Sequence, residues 1–342
     1  MRTKTKIRLI LHFLLGFITV SATAFALLWL TDFFMEQVSS TPRKITYGVT
    51  FSAPYARYLG LDPEKVLESI NKDLNVKLIR IPVYWDEVEK EPGVYDFSAT
   101  DRLLDIAKTG NPEVILVIGY KVPRWPECFS PTWVKEVDQS SHQEKILQLL
   151  KKTVTHFQNQ PKITAWQVEN EPLLPFGECK IFDEIFLKKE VELVKSLDSR
   201  PVVLTDSGEL GLWIQALRYS DLMGTSLYRT VYDPRFGFFT YPFPALYYNL
   251  KAIFTQMIFA PNSQGVFISE LQAEPWALPD KPLIDTPIDK QAELFPLKKL
   301  QETVHFTART GIEKQYLWGV EWWYYMKVNG HPEYWEYAKT LF

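Results

Sequence analysis

The chain has 342 residues with 38 basic and 41 acidic side chains, 46% hydrophobic and 23% charged residues, and only two cysteines. That length suits one large α/β domain; the composition excludes a disordered chain, and the cysteine count excludes a disulfide framework or a Cys-rich zinc site. The formal charge is −3, and because Arg2, Lys4, Lys6 and Arg8 all precede the first acid, Asp32, the body is more acidic than the whole. It lacks the basic face that a nucleic-acid backbone requires.

From Leu9 to Leu30 the chain is apolar apart from His12 and a few hydroxyls. As a helix this stretch measures about 33 Å, at roughly 1.5 Å per residue, enough to cross a bilayer. Basic residues lie before it, and Asp32 and Glu36 after it. The positive-inside rule then leaves the N-terminus in the cytoplasm and the rest of the chain on the extracytoplasmic side. A cleaved signal peptide is the alternative, with Ser21-Ala22-Thr23-Ala24 as its cleavage stretch. The apolar run continues past those residues to Leu30, which favours an uncleaved anchor; if the N-terminus is cleaved, the protein is secreted. Residues 1–35 therefore read as a membrane anchor. Residues 36–44, with Ser39, Ser40, Thr41 and Pro42, read as a linker, and residues 45–342 as one domain.

Eight short apolar runs follow: Ile45–Phe51, Val76–Val83, Glu113–Gly119, Ile163–Glu169, Pro201–Thr205, Asp221–Ser226, Gly265–Glu270 and Lys314–Gly319. Near-continuous apolar runs suit parallel strands buried on both faces. Helical segments alternate with them. Asp62-Pro63-Glu64 is a helix start with an acid at the cap and proline in the first turn, leading to Leu74. Further helices are predicted over Asp101–Lys108, Ser141–Phe157, Phe182–Leu197, Gly208–Leu217, Pro244–Thr255, Ala292–Thr310 and Pro332–Leu341. Eight strand–helix units predict an α/β fold of the (β/α)₈ TIM-barrel type behind one N-terminal transmembrane helix. A doubly wound open sheet is the alternative. It is disfavoured by the count, and because Phe51-Ser52-Ala53-Pro54 stands where a glycine-rich phosphate loop would follow the first strand.

In such a barrel the active site lies at the C-terminal ends of the strands. The fourth predicted strand ends in Trp166-Gln167-Val168-Glu169-Asn170-Glu171-Pro172, and the seventh in Val266-Phe267-Ile268-Ser269-Glu270. Three units separate Glu171 from Glu270, so the two carboxyls face each other across the mouth. Opposed carboxyls are what glycosidic cleavage needs, one to protonate the leaving oxygen and one to attack the anomeric carbon. Glu169, Glu274 and Glu321 are competing acids nearby; Glu270 is preferred over Glu274 because it directly ends the apolar run.

Here residues 45–325 resemble glycoside hydrolase clan A, the retaining (β/α)₈ glycosidases that include cellulases, mannanases and β-glycosidases. The resemblance implies that Glu171 is the acid/base beside Asn170 and that Glu270 is the nucleophile. It implies further that Arg80, in Leu78-Ile79-Arg80-Ile81-Pro82, holds the nucleophile, and that Tyr228 donates to it. Trp318 or Trp322 matches the tryptophan that floors the sugar subsite in these enzymes. The segment from Trp85 through Glu91-Pro92-Gly93-Val94-Tyr95-Asp96-Phe97 is similar as well. Tyr120 and Ser226 stand where family 5 carries histidines, which leaves the substrate open. The implied function is retaining hydrolysis of a β-linked oligo- or polysaccharide. A transglycosylase of the same fold and a catalytically inactive glycan-binding barrel are the alternatives.

Eleven tryptophans make 15% aromatic content plausible as a stacking surface. Trp85, Trp125, Trp133, Trp213, Trp276, Trp322 and Trp323 fall in or near predicted loops after strands. Trp125 and Trp276 are the best subsite candidates. The five histidines show no metal-ligand spacing, so no metal or organic cofactor is implied. Cys128 and Cys179 follow adjacent strands at one mouth, where a disulfide suits an oxidising exterior; two free thiols are the alternative.

Overall fold

A computed structural model describes residues 2–38, 44–134, 137–179, 183–233, 235–277 and 281–342. Most of the expected 36–44 linker, residues 39–43, lies outside the described residues. The N-terminal helix runs Arg2–Val38, past the expected end of the anchor, and its Leu14–Phe34 stretch is long and apolar enough to cross a membrane.

Ten strands follow: β1 (Thr46–Thr50), β2 (Leu78–Pro82), β3 (Glu113–Ile118), β4 (Ile163–Val168), β5 (Val202–Asp206), β6 (Leu222–Leu227), β7 (Thr230–Asp233), β8 (Gly237–Thr240), β9 (Val266–Gln272) and β10 (Lys314–Trp318). Eight of them close a parallel barrel in the order β1-β10-β9-β6-β5-β4-β3-β2. This is the (β/α)₈ TIM barrel, and each of the eight predicted runs supplies one barrel strand. The two remaining strands, β7 and β8, form an antiparallel hairpin between β6 and the next helix. That hairpin was not expected, and β9 is consequently the seventh strand of the barrel.

The helices that pack outside follow their local signals. Asp62, Asp138 and Asp183 each cap a helix by accepting two backbone N–H groups of its first turn, satisfying donors that would otherwise be orphaned. The predicted helix Ala292–Thr310 is in fact two, Ile288–Leu294 and Leu297–Ala308, because Pro296 lacks the N–H a continuous helix needs. The predicted helix Gly208–Leu217 is confined to Ile214–Tyr219. An unexpected helix, Val320–Val328, follows β10 at once.

Strand periodicity builds the floor of the site. Leu78, Ile115, Ala165, Val203, Phe267 and Tyr316 point into the barrel and form one buried apolar plug. Gly48 belongs to this crowded level, since a Cβ there would lie 2.5 Å from the Leu78 Cβ. Two residues further along β2, β4 and β5 the same face carries Arg80, Gln167 and Thr205, all buried. The barrel interior is thus apolar at one level and hydrogen-bonding at the next, toward the C-terminal ends of the strands.

Candidate active site

Arg80 is the centre of the polar layer. It is fully buried, and its guanidinium donates from Nε to Gln167 Oε1 (2.6 Å), from Nη2 to Asn170 Oδ1 (2.6 Å) and from Nη1 to Glu270 Oε1 (3.1 Å). The other oxygen of Glu270, Oε2, accepts from the Tyr228 hydroxyl at 3.1 Å. A cation and a hydroxyl thus each donate a hydrogen bond to this carboxyl, one to each oxygen.

Strand register brings Glu270 to these partners. Both neighbours of β9 skip a residue: Thr225 and Ser226 of β6 pair with Ile268 and Glu270, and Gln315 and Leu317 of β10 pair with Ile268 and Leu271. Strict alternation from the inward Phe267 would send Ser269 inward and Glu270 out toward the helices. The bulge resets the alternation and turns Glu270 into the mouth.

Glu171 follows β4 in a left-handed conformation, φ 44°. Its backbone N–H donates to Thr205 Oγ1 (2.7 Å), and its Oε1 is buried without a partner among the described residues. Burial, and then the charge of Glu270, push its pKa up to about 8. A carboxyl whose pKa is raised therefore shares the mouth with one that is gripped by a cation and a hydroxyl. Asn170, between them in the network, leaves its buried Nδ2 unpartnered.

The loop after β3 supplies groups the sequence reading did not single out. Lys121 donates from Nζ to the carbonyls of Glu171 and Leu174, both at 2.9 Å, tying this loop to the one after β4. Glu127 lies 3.4 Å from that same Nζ. Burial is the main cause raising its pKa; Lys121 opposes the rise, while Glu171 and Glu270 add to it. Arg124 pairs with Glu274 and Glu321 and lies over the rings of Tyr55 (3.7 Å) and Trp318 (4.1 Å). Those two acids, competitors of Glu270 in the sequence, are thereby engaged by a different cation. Arg124, Glu127, Glu169 and Glu171 all have positive φ, an uncommon state for residues with a Cβ that gathers here at one mouth. The Cys128–Cys179 disulfide, Cα–Cα 5.3 Å, joins the same two loops.

Behind them Glu169 accepts the N–H groups of Tyr120 (2.7 Å) and Lys121. Gly119 makes this possible: its φ is 129°, and a Cβ would stand 2.2 Å from Glu169 Oε1.

The tryptophans divide. Trp125 is 65% exposed, and Trp276 is half-buried with its edge against Tyr228 at 5.7 Å. Phe176, which the sequence reading passed over, lies between them, 6.1 Å from Trp125 and 6.3 Å from Trp276. A row of rings thus leads to the Tyr228–Glu270 bond. Trp318 ends β10 under Arg124, with little surface open. Trp322 corrects the expectation of a sugar platform. It is fully buried in the Val320–Val328 helix, packed between Phe295 and Tyr334, with Nε1 donating to Gln291 Oε1. Trp85, Trp213 and Trp323 are likewise fully buried. The signal available in the sequence was the position of Trp322 and Trp323 in an apolar run just beyond a strand.

The profile of glycosyl hydrolase family 10 matches residues 47–189, which contain Arg80, Asn170 and Glu171. The chain resembles glycoside hydrolase clan A. Glu270 and Tyr228 lie beyond the matched residues. Native xylanase 10B from Thermotoga maritima has a similar structure, with 16% identity, 80% of this chain and 83% of that one covered, and a TM-score of 0.52. GH5_18 from Bifidobacterium longum subsp. longum is similar at 11% identity, with 81% of this chain and 69% of that one covered and a TM-score of 0.58. A GH2 β-galacturonidase from Eisenbergiella tayi aligns at 15% identity with a TM-score of 0.46; 80% of this chain is covered, and it spans 43% of that protein. At these identities the likeness to the xylanase and to GH5_18 shows the barrel fold alone.

Proposed function

We propose that this protein is a membrane-anchored retaining glycoside hydrolase that cleaves β-glycosidic bonds in an oligo- or polysaccharide on the extracytoplasmic side. The observation that carries the reading is the pairing of a carboxyl with a raised pKa, Glu171, with a carboxylate held by Arg80 and Tyr228, Glu270. Residues 45–342 are the catalytic unit, and the Leu14–Phe34 span holds it to the membrane.

In this reading Glu270 attacks the anomeric carbon as Glu171 gives its proton to the departing oxygen. The glycosidic bond breaks and a glycosyl ester forms on Glu270. Ester formation removes the negative charge that helps raise the Glu171 pKa. Glu171, having given up its proton, stays ionised once that charge is gone, and takes a proton from water as that water attacks the ester. Glu270 leaves as a carboxylate, and the product keeps the anomeric configuration of the substrate. The unpartnered Asn170 amide is a donor for a sugar hydroxyl. Trp125 and Trp276 offer indole faces to the apolar C–H faces of sugar rings, and Trp318 lies at the floor.

The test is a screen of the purified full chain against β-glucan, mannan, xylan and aryl β-glycosides, with NMR of the first-formed anomer. Release of the β-anomer first is expected; release of the α-anomer first removes the retaining mechanism. Glu171→Gln is expected to keep glycan binding and lose most turnover of natural glycan. Unchanged turnover in that variant removes the acid/base assignment.

A further inference from the structure

The helix Ala245–Phe259 carries one charged residue, Lys251, and that one is turned inward: its Nζ donates to the carbonyls of Gly208 and Gly211, both at 2.8 Å. The outward side presents Ile253, Phe254, Met257 and Ile258, 51–61% exposed, at the i, i+1, i+4, i+5 spacing of a single helical stripe. Four large apolar side chains side by side on a solvent face need an occupant.

The N-terminal helix identifies that occupant. Trp29 lies inside the Leu14–Phe34 span, five residues before its end, and its Nε1 donates to Pro242 O at 2.9 Å. At about 1.5 Å per residue, Pro242 sits only about 7 to 8 Å below the level where the apolar span ends. Asp32 Oδ1 accepts the Leu246 N–H at 2.9 Å in the first turn of the Ala245–Phe259 helix, and the same carboxyl pairs with Arg309. A buried acid near the end of a membrane span is thus neutralised by the barrel itself. Tyr241, Phe243 and Tyr247 stack in series at this junction, centroids 6.2 and 4.4 Å apart. Amphipathic aromatic rings gather at the headgroup level of bilayers. On the anchored reading these contacts hold the start of the Ala245–Phe259 helix near the end of the apolar span, and the stripe lies further along the same helix.

We propose that the Ile253/Phe254/Met257/Ile258 face of this helix lies in the bilayer interface, so that the barrel rests on the membrane instead of swinging from its anchor. The proposal rests on the anchored reading above. The helix is apolar overall, and its one charge, Lys251, is turned away from this face, so no charge on the stripe opposes contact with lipid. The lipid it meets is the acyl–headgroup boundary of the same bilayer that the Leu14–Phe34 helix crosses.

The experiment uses the full chain with its disulfide intact, reconstituted into vesicles of phosphatidylcholine and phosphatidylglycerol. Single cysteines at Ile258→Cys and, as a control on the exposed charged face of the Glu184–Leu197 helix, Lys188→Cys carry an environment-sensitive fluorophore. Doxyl-labelled phosphatidylcholine is expected to quench the label at position 258 by roughly half or more and to leave the label at 188 unquenched, as depth in the interface requires. Phe254→Glu with Met257→Glu is expected to abolish that quenching while flotation with vesicles and turnover of a soluble aryl glycoside persist. Flotation with equal, weak quenching at both positions overturns the docking and leaves the anchor standing. A label at 258 shielded from both doxyl lipid and aqueous iodide means a protein covers the stripe, which overturns it too. A chain that fails to float removes the anchor and the docking together.

Discussion

Arg80 Nη1 stands 3.1 Å from Glu270 Oε1, with both side chains almost wholly removed from water. An ion pair so placed is governed by what remains when one partner is lost. The Coulomb gain of the intact pair is largely spent on desolvation, whereas an orphaned buried charge has no compensation. Arg80→Ala should therefore destabilise the fold by about 3–5 kcal/mol in urea unfolding at pH 7. It should also remove nearly all activity, because Asn170 and Gln167 lose their donor along with Glu270. Loss of activity with unchanged stability contradicts the account of Arg80 as the hub of the polar layer.

The pH dependence follows from Glu171. Its pKa is raised to about 8 in the folded protein, by burial first and by Glu270 second. Activity that needs the protonated form should decline as pH rises through about 8. A carboxyl with a raised folded pKa favours the folded state fully below its unfolded pKa of about 4.3, and that contribution is lost as pH rises toward about 8. Glu171→Gln should then flatten the alkaline decline in unfolding free energy between pH 5 and 9 and abolish the alkaline limb of activity. An unchanged alkaline limb on residual turnover assigns that ionisation elsewhere.

Trp125 touches little of the protein, being 65% exposed, so its role is readable without a folding penalty. Trp125→Ala should leave the melting temperature within about 1 °C and raise KM for oligosaccharides about two- to tenfold, the effect of roughly 0.5–1.5 kcal/mol of aromatic contact. KM for a short aryl glycoside should change less. Equal KM on all substrates places Trp125 outside the sugar path.

The Cys128–Cys179 disulfide spans 51 residues and clamps the loops that carry Glu127 and Glu171. On chain-entropy grounds its loss should cost about 4 kcal/mol. Cys128→Ser with Cys179→Ser should lower the unfolding midpoint and also raise KM, because the loops after β3 and β4 lose their covalent link and keep only hydrogen bonds. A lower midpoint with KM unchanged means the loops hold their geometry without the bond.

Gly119→Ala tests the backing of the site. The added Cβ meets the Glu169 carboxyl at a backbone conformation that disfavours any side chain. A loss of about 1–3 kcal/mol is expected, with reduced turnover as the Tyr120 and Lys121 N–H groups lose their acceptor. Wild-type turnover in a destabilised variant would confine Glu169 to a structural part.

Much of this protein is legible in its sequence. Eight buried apolar runs, each near-continuous because both faces of a parallel strand are covered, specified the barrel strands to within a residue or two. Asp62 marks a helix start by local hydrogen bonding alone. Position at strand ends was enough to bring Glu171 and Glu270 forward. The rest depended on contacts between segments far apart in the chain. Glu270 should have faced the helices by simple alternation; the β9 bulge, created by its pairing with β6 and β10, turned it inward. Trp322 and Trp125 are the same residue type after similar strands, yet one is sealed between Phe295 and Tyr334 and the other stands in solvent. Glu127 owes its raised pKa first to burial and then to Glu171 and Glu270, which come from other segments of the chain. Hydrophobic period and capping are local, so sequence carries them; side-chain direction at a bulge, burial and the field of neighbouring charges exist only once the barrel closes.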